Sequence, residues 1–373
     1  MPSRRIPIDD LAEALHDAYP ELGALAAAGG DRVYLVGGAV RDLLLGQARG
    51  DIDVVVVGDP LELATALGAE TLAEHGRFAT AKVELDGHEI DIATARTETY
   101  ERPGALPTVS PADSIEADLG RRDFTINAMA VSLARPADLI DPHGGRADLE
   151  AAQLRVLHAG SFTDDPTRAV RAARYAARFG LEVELETAEL LRRTDLGTVS
   201  EDRRRAEIHR LAGEPSGPEG FALLAEWGLV ELRDGGAELA AAAVGVLETE
   251  TWRGEAARAD AVLVAALGPA GREADLAAVE PERPSDGVEM AKSCAPVELV
   301  LARALGAEWL DEYVSRWRLV ELEIDGADLI AAGVPRGPAL GRALRAALAA
   351  KLDGEAENRG EELSVALKAA SRG

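Results

Sequence analysis

The chain has 373 residues, 47% hydrophobic and 28% charged, with 66 acidic against 40 basic side chains and a net charge of −26. That length suits two to four domains, and the acidic balance argues against a protein that grips nucleic acid with its whole surface. The single cysteine, Cys294, excludes an internal disulfide, and no Cys/His cluster suggests structural zinc.

No apolar run reaches membrane-spanning length, and the N-terminus lacks the apolar core of a signal peptide. A cytoplasmic protein without a membrane partner is expected. Residues 1–28 read as an amphipathic helix or two. Val33 to Val36 reads as a short strand ended by Gly37-Gly38, and Ala39 to Leu45 as a helix stopped by Gly46. Asp51 to Val57 is a strand, followed by a helix from about Pro60 to His75. Phe78 to Leu85 and His88 to Ala93 are strands joined by a turn at Asp86-Gly87. Residues 97–118, rich in Pro, Gly, Thr and Ser, read as a mobile loop. A helix-strand pair runs through Leu133, then Leu139 to Asp141 and a Gly-Gly turn complete an α/β domain of about 150 residues. From Leu149 the pattern is helical, with Ala and Leu dominant. A Pro/Gly/Glu-rich linker is expected from Gly268 to Gly287, and a small helical unit from about Glu321.

The chemistry concentrates in four places. Asp51 and Asp53 are two apart on a strand and project together. Their like charges repel unless a cation neutralises them, and carboxylate oxygens suit Mg²⁺. Asp91, on another strand, supplies a third carboxylate, the set a two-metal phosphoryl-transfer site needs. Upstream, Gly37-Gly38 between a strand and a helix brings backbone N–H groups near an anion, and Arg41 pairs with phosphate. In Arg121-Arg122-Asp123-Phe124-Thr125-Ile126-Asn127, Arg122 is a phosphate partner, Asp123 an acceptor for a ribose hydroxyl, and Asn127 suited to either. Asp164-Asp165-Pro166 opens a helix on which Arg168, Arg171 and Arg174 share a face. Residues 151–212 hold eleven Lys/Arg against ten Asp/Glu, so the basic residues cluster beside these motifs. Asp165 accepting from an exocyclic amine and Arg168 donating to a ring nitrogen would read cytosine or adenine without a template, while uracil and guanine reverse that pattern.

Together these segments resemble the class II tRNA nucleotidyltransferase and bacterial poly(A) polymerase family. The matching pieces are LVGGAVRDLLLG (35–46), DIDVVVVG (51–58), RRDFTINAMA (121–130), DPHGGRADL (141–149) and DDPTRAVRAARYAARFG (164–180), in the family's order. The segment 325–355 also looks like the family's C-terminal unit. The resemblance implies an α+β fold: a palm-like nucleotidyltransferase head with a mixed β-sheet (1–150), then an all-helical neck (151–215), body (216–310) and tRNA-binding tail (311–373). It implies that Asp51 and Asp53 ligate two Mg²⁺ and that Asp91 is the third carboxylate. Gly37, Gly38, Arg41, Arg122, Asp123, Asn127, Asp165, Arg168, Arg171 and Arg174 then bind nucleotide. The expected reaction is addition of CMP and AMP from CTP and ATP to the tRNA 3′ end. Complete CCA addition leads, with CC-only addition, A-only addition and poly(A) synthesis sharing the same motifs.

Two departures stand out. Asp164 stands where the family's base-reading motif usually has Glu, which bears on how that motif is braced. The segment 97–107 resembles loops of members that add only part of CCA. The six histidines are scattered and read as structural. A non-catalytic RNA-binding scaffold would be expected to lose a metal carboxylate, yet both aspartates are present. A dinucleotide-binding oxidoreductase lacks its third glycine and its β-α-β continuation.

Overall fold

A computed structural model describes residues 10–47, 52–68, 70–75 (backbone only), 80–85, 87–134 and 137–371. The chain divides into two compact units, residues 1–208 with 226–229, and residues 209–225 with 230–373. Among the described residues no helix is long and apolar enough to cross a membrane.

The first unit opens with α1 (Leu11–Ala18) and α2 (Leu22–Gly29). Its strands are β1 (Val33–Val36), β2 (Ile52–Val56), β3 (Glu70–His75), β4 (Thr80–Leu85), β5 (His88–Thr94), β6 (Arg96–Thr99), β7 (Thr108–Pro111), β8 (Ala130–Ser132), β9 (Leu139–Ile140), β10 (Gln153–Leu154) and β11 (Glu182–Val183). Its helices continue as α3 (Gly38–Leu44), α4 (Pro60–Leu67), α5 (Ile115–Leu119), α6 (Gly145–Glu150), α7 (Ser161–Asp164), α8 (Thr167–Phe179), α9 (Leu185–Leu191) and α10 (Glu201–Gly213, whose residues from 209 on group with the second unit). Seven strands form one mixed sheet in the order β3-β4-β5-β2-β1-β8-β9, in which β2 and β5 run parallel and the other neighbours antiparallel. Val36, Val55, Ala95, Ile115, Leu119, Ala128 and Ala130 share one buried cluster, which packs the strand ends against α5.

Several expectations shift. The helix expected to reach His75 stops at Leu67, because Gly68 takes a left-handed conformation (φ +62°) and Glu70–His75 pairs with β4. The 97–118 segment is not a loop throughout. β6 and β7 pair as an antiparallel ribbon, and Ser114 caps α5 by accepting from the Ala117 amide. The Thr/Ser content that reads as a loop also suits an edge ribbon. Between β10 and β11 the helical region carries a short parallel pair, Gln153↔Glu182 and Leu154↔Val183. Asp51, residues 1–9 and Asp86 lie outside the described residues, though Leu85 pairs with His88 across the turn.

The second unit is helical: α11 (Gly217–Glu226, whose last residue groups with the first unit), α12 (Gly236–Glu248), α13 (Arg258–Leu267), α14 (Arg272–Ala277), α15 (Pro284–Ala291), α16 (Pro296–Ala304), α17 (Leu310–Ser315), α18 (Gly326–Ala331), α19 (Pro338–Leu352) and α20 (Arg359–Ala370). The stretch read as a linker, 268–287, contains α14 and the start of α15, the latter opened by Pro284 at its first position. Two acids fix this unit. Asp311 accepts from the Trp252 indole (2.7 Å) and from Arg303 (2.8 Å). Glu362, fully buried, accepts from Lys351 and from the Glu323 and Ile324 amides, which ties α20 to the segment before α18. A buried acid is tolerated only when paired in this way.

Candidate active site

Within the first unit a cavity of about 350 Å³ is bounded by β1–α3, β2, the β6 ribbon, the 121–127 segment and one face of α8. Its lining includes eleven of the residues read from sequence: Gly37, Gly38, Arg41, Asp53, Arg122, Asp123, Asn127, Asp165, Arg168, Arg171 and Arg174. Seven arginines face it against four acids, so its formal charge is positive although the chain is strongly acidic.

The chain reverses from β1 into α3 at Gly37 (φ +65°), whose amide donates to the Met129 carbonyl at 3.1 Å. A methyl group there would stand 2.5 Å from Arg122 Nη1, so the absence of a side chain admits that guanidinium. Arg122 Nη2 donates to Asp118 (3.0 Å), and its buried Nε has no hydrogen-bond partner among the described residues. Burial pulls the Arg122 guanidinium below its ordinary pKa, against the opposing charge of Asp118. Asp118, fully buried, also accepts from Arg121. Burial alone would raise the Asp118 carboxyl, but Arg122 and Arg121 outweigh it and hold it below the usual range.

Arg41, one turn into α3, is buried. Its guanidinium carbon lies 4.3 Å from the Phe179 ring centre and 5.3 Å from that of Tyr175, a cation–π cage contributed by α8. It donates to Asp42 and to Asn127 Oδ1. Asn127 in turn donates to Asp123 Oδ1 at 3.1 Å, and Arg171 grips Asp123 Oδ2 through Nε (2.7 Å) and Nη2 (2.6 Å). Burial pushes the Asp123 carboxyl up, but Arg171 and Asn127 outweigh it and hold it low. The charge of Asp123 in turn raises the pKa of Arg171. With the Phe124 amide also donating to Oδ1, Asp123 has four donors on its two oxygens. A ribose hydroxyl would have to displace one of them. The geometry makes Asp123 chiefly the group that orients Arg171 and Asn127.

α8 turns Arg168, Arg171, Arg174 and Arg178 toward the cavity, while Ala169, Val170, Ala172, Ala173 and Ala176 are buried. Arg168 is anchored by Ser161 Oγ (2.8 Å) and the Arg121 carbonyl (2.7 Å). Asp165 Oδ1 accepts from the Thr167 amide and hydroxyl, which starts the helix, and its Oδ2 lies 2.9 Å from Arg203 Nη2. Asp164 is half-exposed, 3.9 Å from His158.

Asp53 lines the cavity from β2 and is exposed. Asp91 is its in-register neighbour on the parallel strand β5, also exposed and 3.4 Å from Lys82, but it stands outside the cavity lining. In-register neighbours on paired strands share a face. Asp51, the remaining carboxylate of the expected set, lies outside the described residues.

Sequence reasoning missed Glu98, Tyr100, Arg121, Tyr175 and Arg178 as lining residues. Arg178 continues the three-and-four spacing of the arginine face and was legible on that ground. Glu98 and Tyr100 depended on the ribbon being recognised. Glu98 accepts from Arg96, Arg121 and the Tyr100 hydroxyl. Burial pushes the Tyr100 hydroxyl up to about 12, with Glu98 adding to the rise.

Residues 33–155 match the Poly A polymerase head domain family. A CC-adding tRNA nucleotidyltransferase of Deinococcus radiodurans is 36% identical over 90% of this chain and 88% of its own length. An A-adding tRNA nucleotidyltransferase of Halalkalibacterium halodurans is 42% identical over 55% of this chain and 50% of its own. The chain spans half or less of the length of three A-adding relatives. A solved complex of a CCA-adding enzyme with ATP superposes with a TM-score of 0.80 and 28% identity, covering 98% of both chains. The likeness thus runs over nearly the whole chain, head and helical regions alike, and the chain belongs to the tRNA nucleotidyltransferase family.

Proposed function

We propose that the chain is a template-independent tRNA nucleotidyltransferase acting in the cytoplasm. It takes CTP and ATP and extends the tRNA 3′ end with CMP and AMP. The observation that carries this reading is the cavity itself: Asp53 on one wall, seven arginines around it, and Asp165 with Arg168 at the start of α8.

The tRNA 3′-hydroxyl oxygen attacks the α-phosphorus in line, and the bond from that phosphorus to the bridging oxygen breaks, releasing pyrophosphate. Arg122, Arg171 and Arg174 present guanidinium groups to the triphosphate, held in place before it arrives by Asp118, Asp123 and Tyr175. Arg41, caged by Phe179 and Tyr175, braces Asn127 and adds positive charge behind the glycine turn. Asp165 has three donors on its two oxygens, so one acceptor position stays open for an exocyclic amine. Arg168 commits two of its five N–H donors to protein groups and retains others for a ring nitrogen.

The exposed carboxylate of Asp53 beside that of Asp91 is a hard-oxygen donor set that suits Mg²⁺. Asp51 and Asp53 would hold the metal, with Asp91 the adjacent carboxylate. Bound there, two Mg²⁺ supply neutralisation of the triphosphate and a lowered pKa for the attacking hydroxyl.

Complete CCA addition is the leading reading, supported by the likeness over 98% of the ATP-bound CCA-adding enzyme. Partial addition is a second reading, favoured by the CC-adding relative matched over 88% of its length. Transfer RNAs ending at the discriminator base, at C and at CC, supplied with CTP and ATP separately and together, separate the two. Extension of all three to CCA supports the first reading, and a product arrested at CC supports the second. No extension of any acceptor would overturn both.

A further inference from the structure

Arg203, on α10, belongs to none of the motifs above, yet it joins two parts of the site. Its Nη2 lies 2.9 Å from Asp165 Oδ2, and its Nη1 donates to the Gly104 carbonyl at 3.0 Å. Gly104 sits in the turn between β6 and β7, the ribbon that brings Glu98 and Tyr100 to the cavity. That turn is fitted closely to its neighbours. The Gly104 amide donates to the Thr163 carbonyl (3.2 Å), its φ is +68°, and a Cβ there would stand 2.5 Å from the Thr198 carbonyl oxygen. Side-chain growth at 104 is therefore excluded by sterics and by backbone conformation together.

The consequence falls on Asp165. Its Oδ1 is occupied by the Thr167 amide and hydroxyl, so Oδ2 is the oxygen left to meet a base. A carboxylate held through one oxygen still turns about its own bond, whereas one held at both oxygens presents its remaining lone pair in a fixed direction. We propose that Arg203 is a positioning residue for nucleotide selectivity, fixing the Asp165 carboxylate from behind while anchoring the ribbon turn at Gly104. The inference rests on Asp165 reading the base.

Equilibrium binding of CTP, ATP, UTP and GTP to the full chain tests it without requiring incorporation. The variants are Arg203→Ala, Arg203→Lys, Asp165→Ala and the Asp165→Ala/Arg203→Ala double. Arg203→Ala is expected to lower the preference for CTP over UTP roughly tenfold, in the range of measured couplings between contacting groups. Arg203→Lys, which reaches only one of the two acceptors, falls between. In the Asp165→Ala background the Arg203 substitution changes the preference no further, an outcome that a merely structural role does not produce. The proposal is overturned if Arg203→Ala keeps the wild-type preference while Asp165→Ala loses it, or if the Arg203 effect persists without Asp165. If Asp165→Ala keeps the wild-type preference, the base-reading assignment fails, and this inference with it. Should Arg203→Ala unfold, Arg203→Lys decides alone: a several-fold drop in preference supports the proposal, and wild-type preference overturns it.

Discussion

Replacing Gly37 by alanine isolates one contact of the cavity, the fit of Arg122 against a bare backbone. Two costs follow from the geometry. A non-glycine residue at φ +65°, ψ −125° pays about 1–3 kcal/mol of backbone strain, a loss of roughly 2–4 °C in Tm per kcal/mol for a unit of this size. The new methyl group also overlaps Arg122 Nη1, 2.5 Å away, so the guanidinium must move. If that movement costs one charge-assisted hydrogen bond to a phosphate, worth about 1.5–3 kcal/mol, CTP and ATP affinity falls by roughly 10- to 150-fold. Gly30 supplies the control. It has nearly the same backbone angles (φ +64°, ψ −135°), and a Cβ there would meet nothing within 4 Å. Gly30→Ala should therefore lose comparable stability and bind nucleotide as the wild type does. Thermal melts and equilibrium nucleotide binding on both variants give the comparison. Equal affinity of the two variants would refute the role given to Arg122 and to the glycine that admits it.

Other consequences follow from the same network. Arg168→Ala removes the bonds to Ser161 and the Arg121 carbonyl, so stability should fall by about 1.5–3 kcal/mol. Discrimination against UTP and GTP should relax in single-nucleotide incorporation, and unchanged selectivity would remove Arg168 from base reading. Asp118 and Asp123 have carboxyls held below the ordinary value near ~3.9. Their stabilising contribution is complete above that value and is lost as pH falls through their depressed folded-state pKa values. The urea midpoint should therefore drop more steeply below about pH 4 in the wild type than in Asp118→Asn. Identical profiles would contradict the pairing of Asp118 with Arg121 and Arg122.

Much of the site was legible because its chemistry repeats at short spacing. The strand-Gly-Gly-helix turn, the arginine face of α8 and the acid before Pro166 are local patterns, and the local backbone places them as expected. What escaped depended on distant partners. Arg203 meets Asp165 and Gly104 from positions 38 residues and 99 residues away in the chain, and no spacing rule links them. Asp123 reads as a free acceptor in sequence, but Arg171, 48 residues on, occupies one of its oxygens. The strand at Glu70–His75 was hidden by a helix-compatible composition, although Gly68 marked the stop. The ribbon of β6 and β7 was hidden by Thr, Ser and Pro, which serve an edge pair as well as a loop.

If the cavity is a transfer site, Asp53 acts in nucleotide transfer and not in folding. The direct measurement is incorporation of labelled CMP into tRNA by Asp53→Asn, alongside its thermal melt. The expected result is an unchanged melt and a rate lower by roughly 1,000-fold, equivalent to several kcal/mol of lost transition-state stabilisation. Incorporation within about tenfold of wild type, a difference of only ~1.4 kcal/mol, would contradict it.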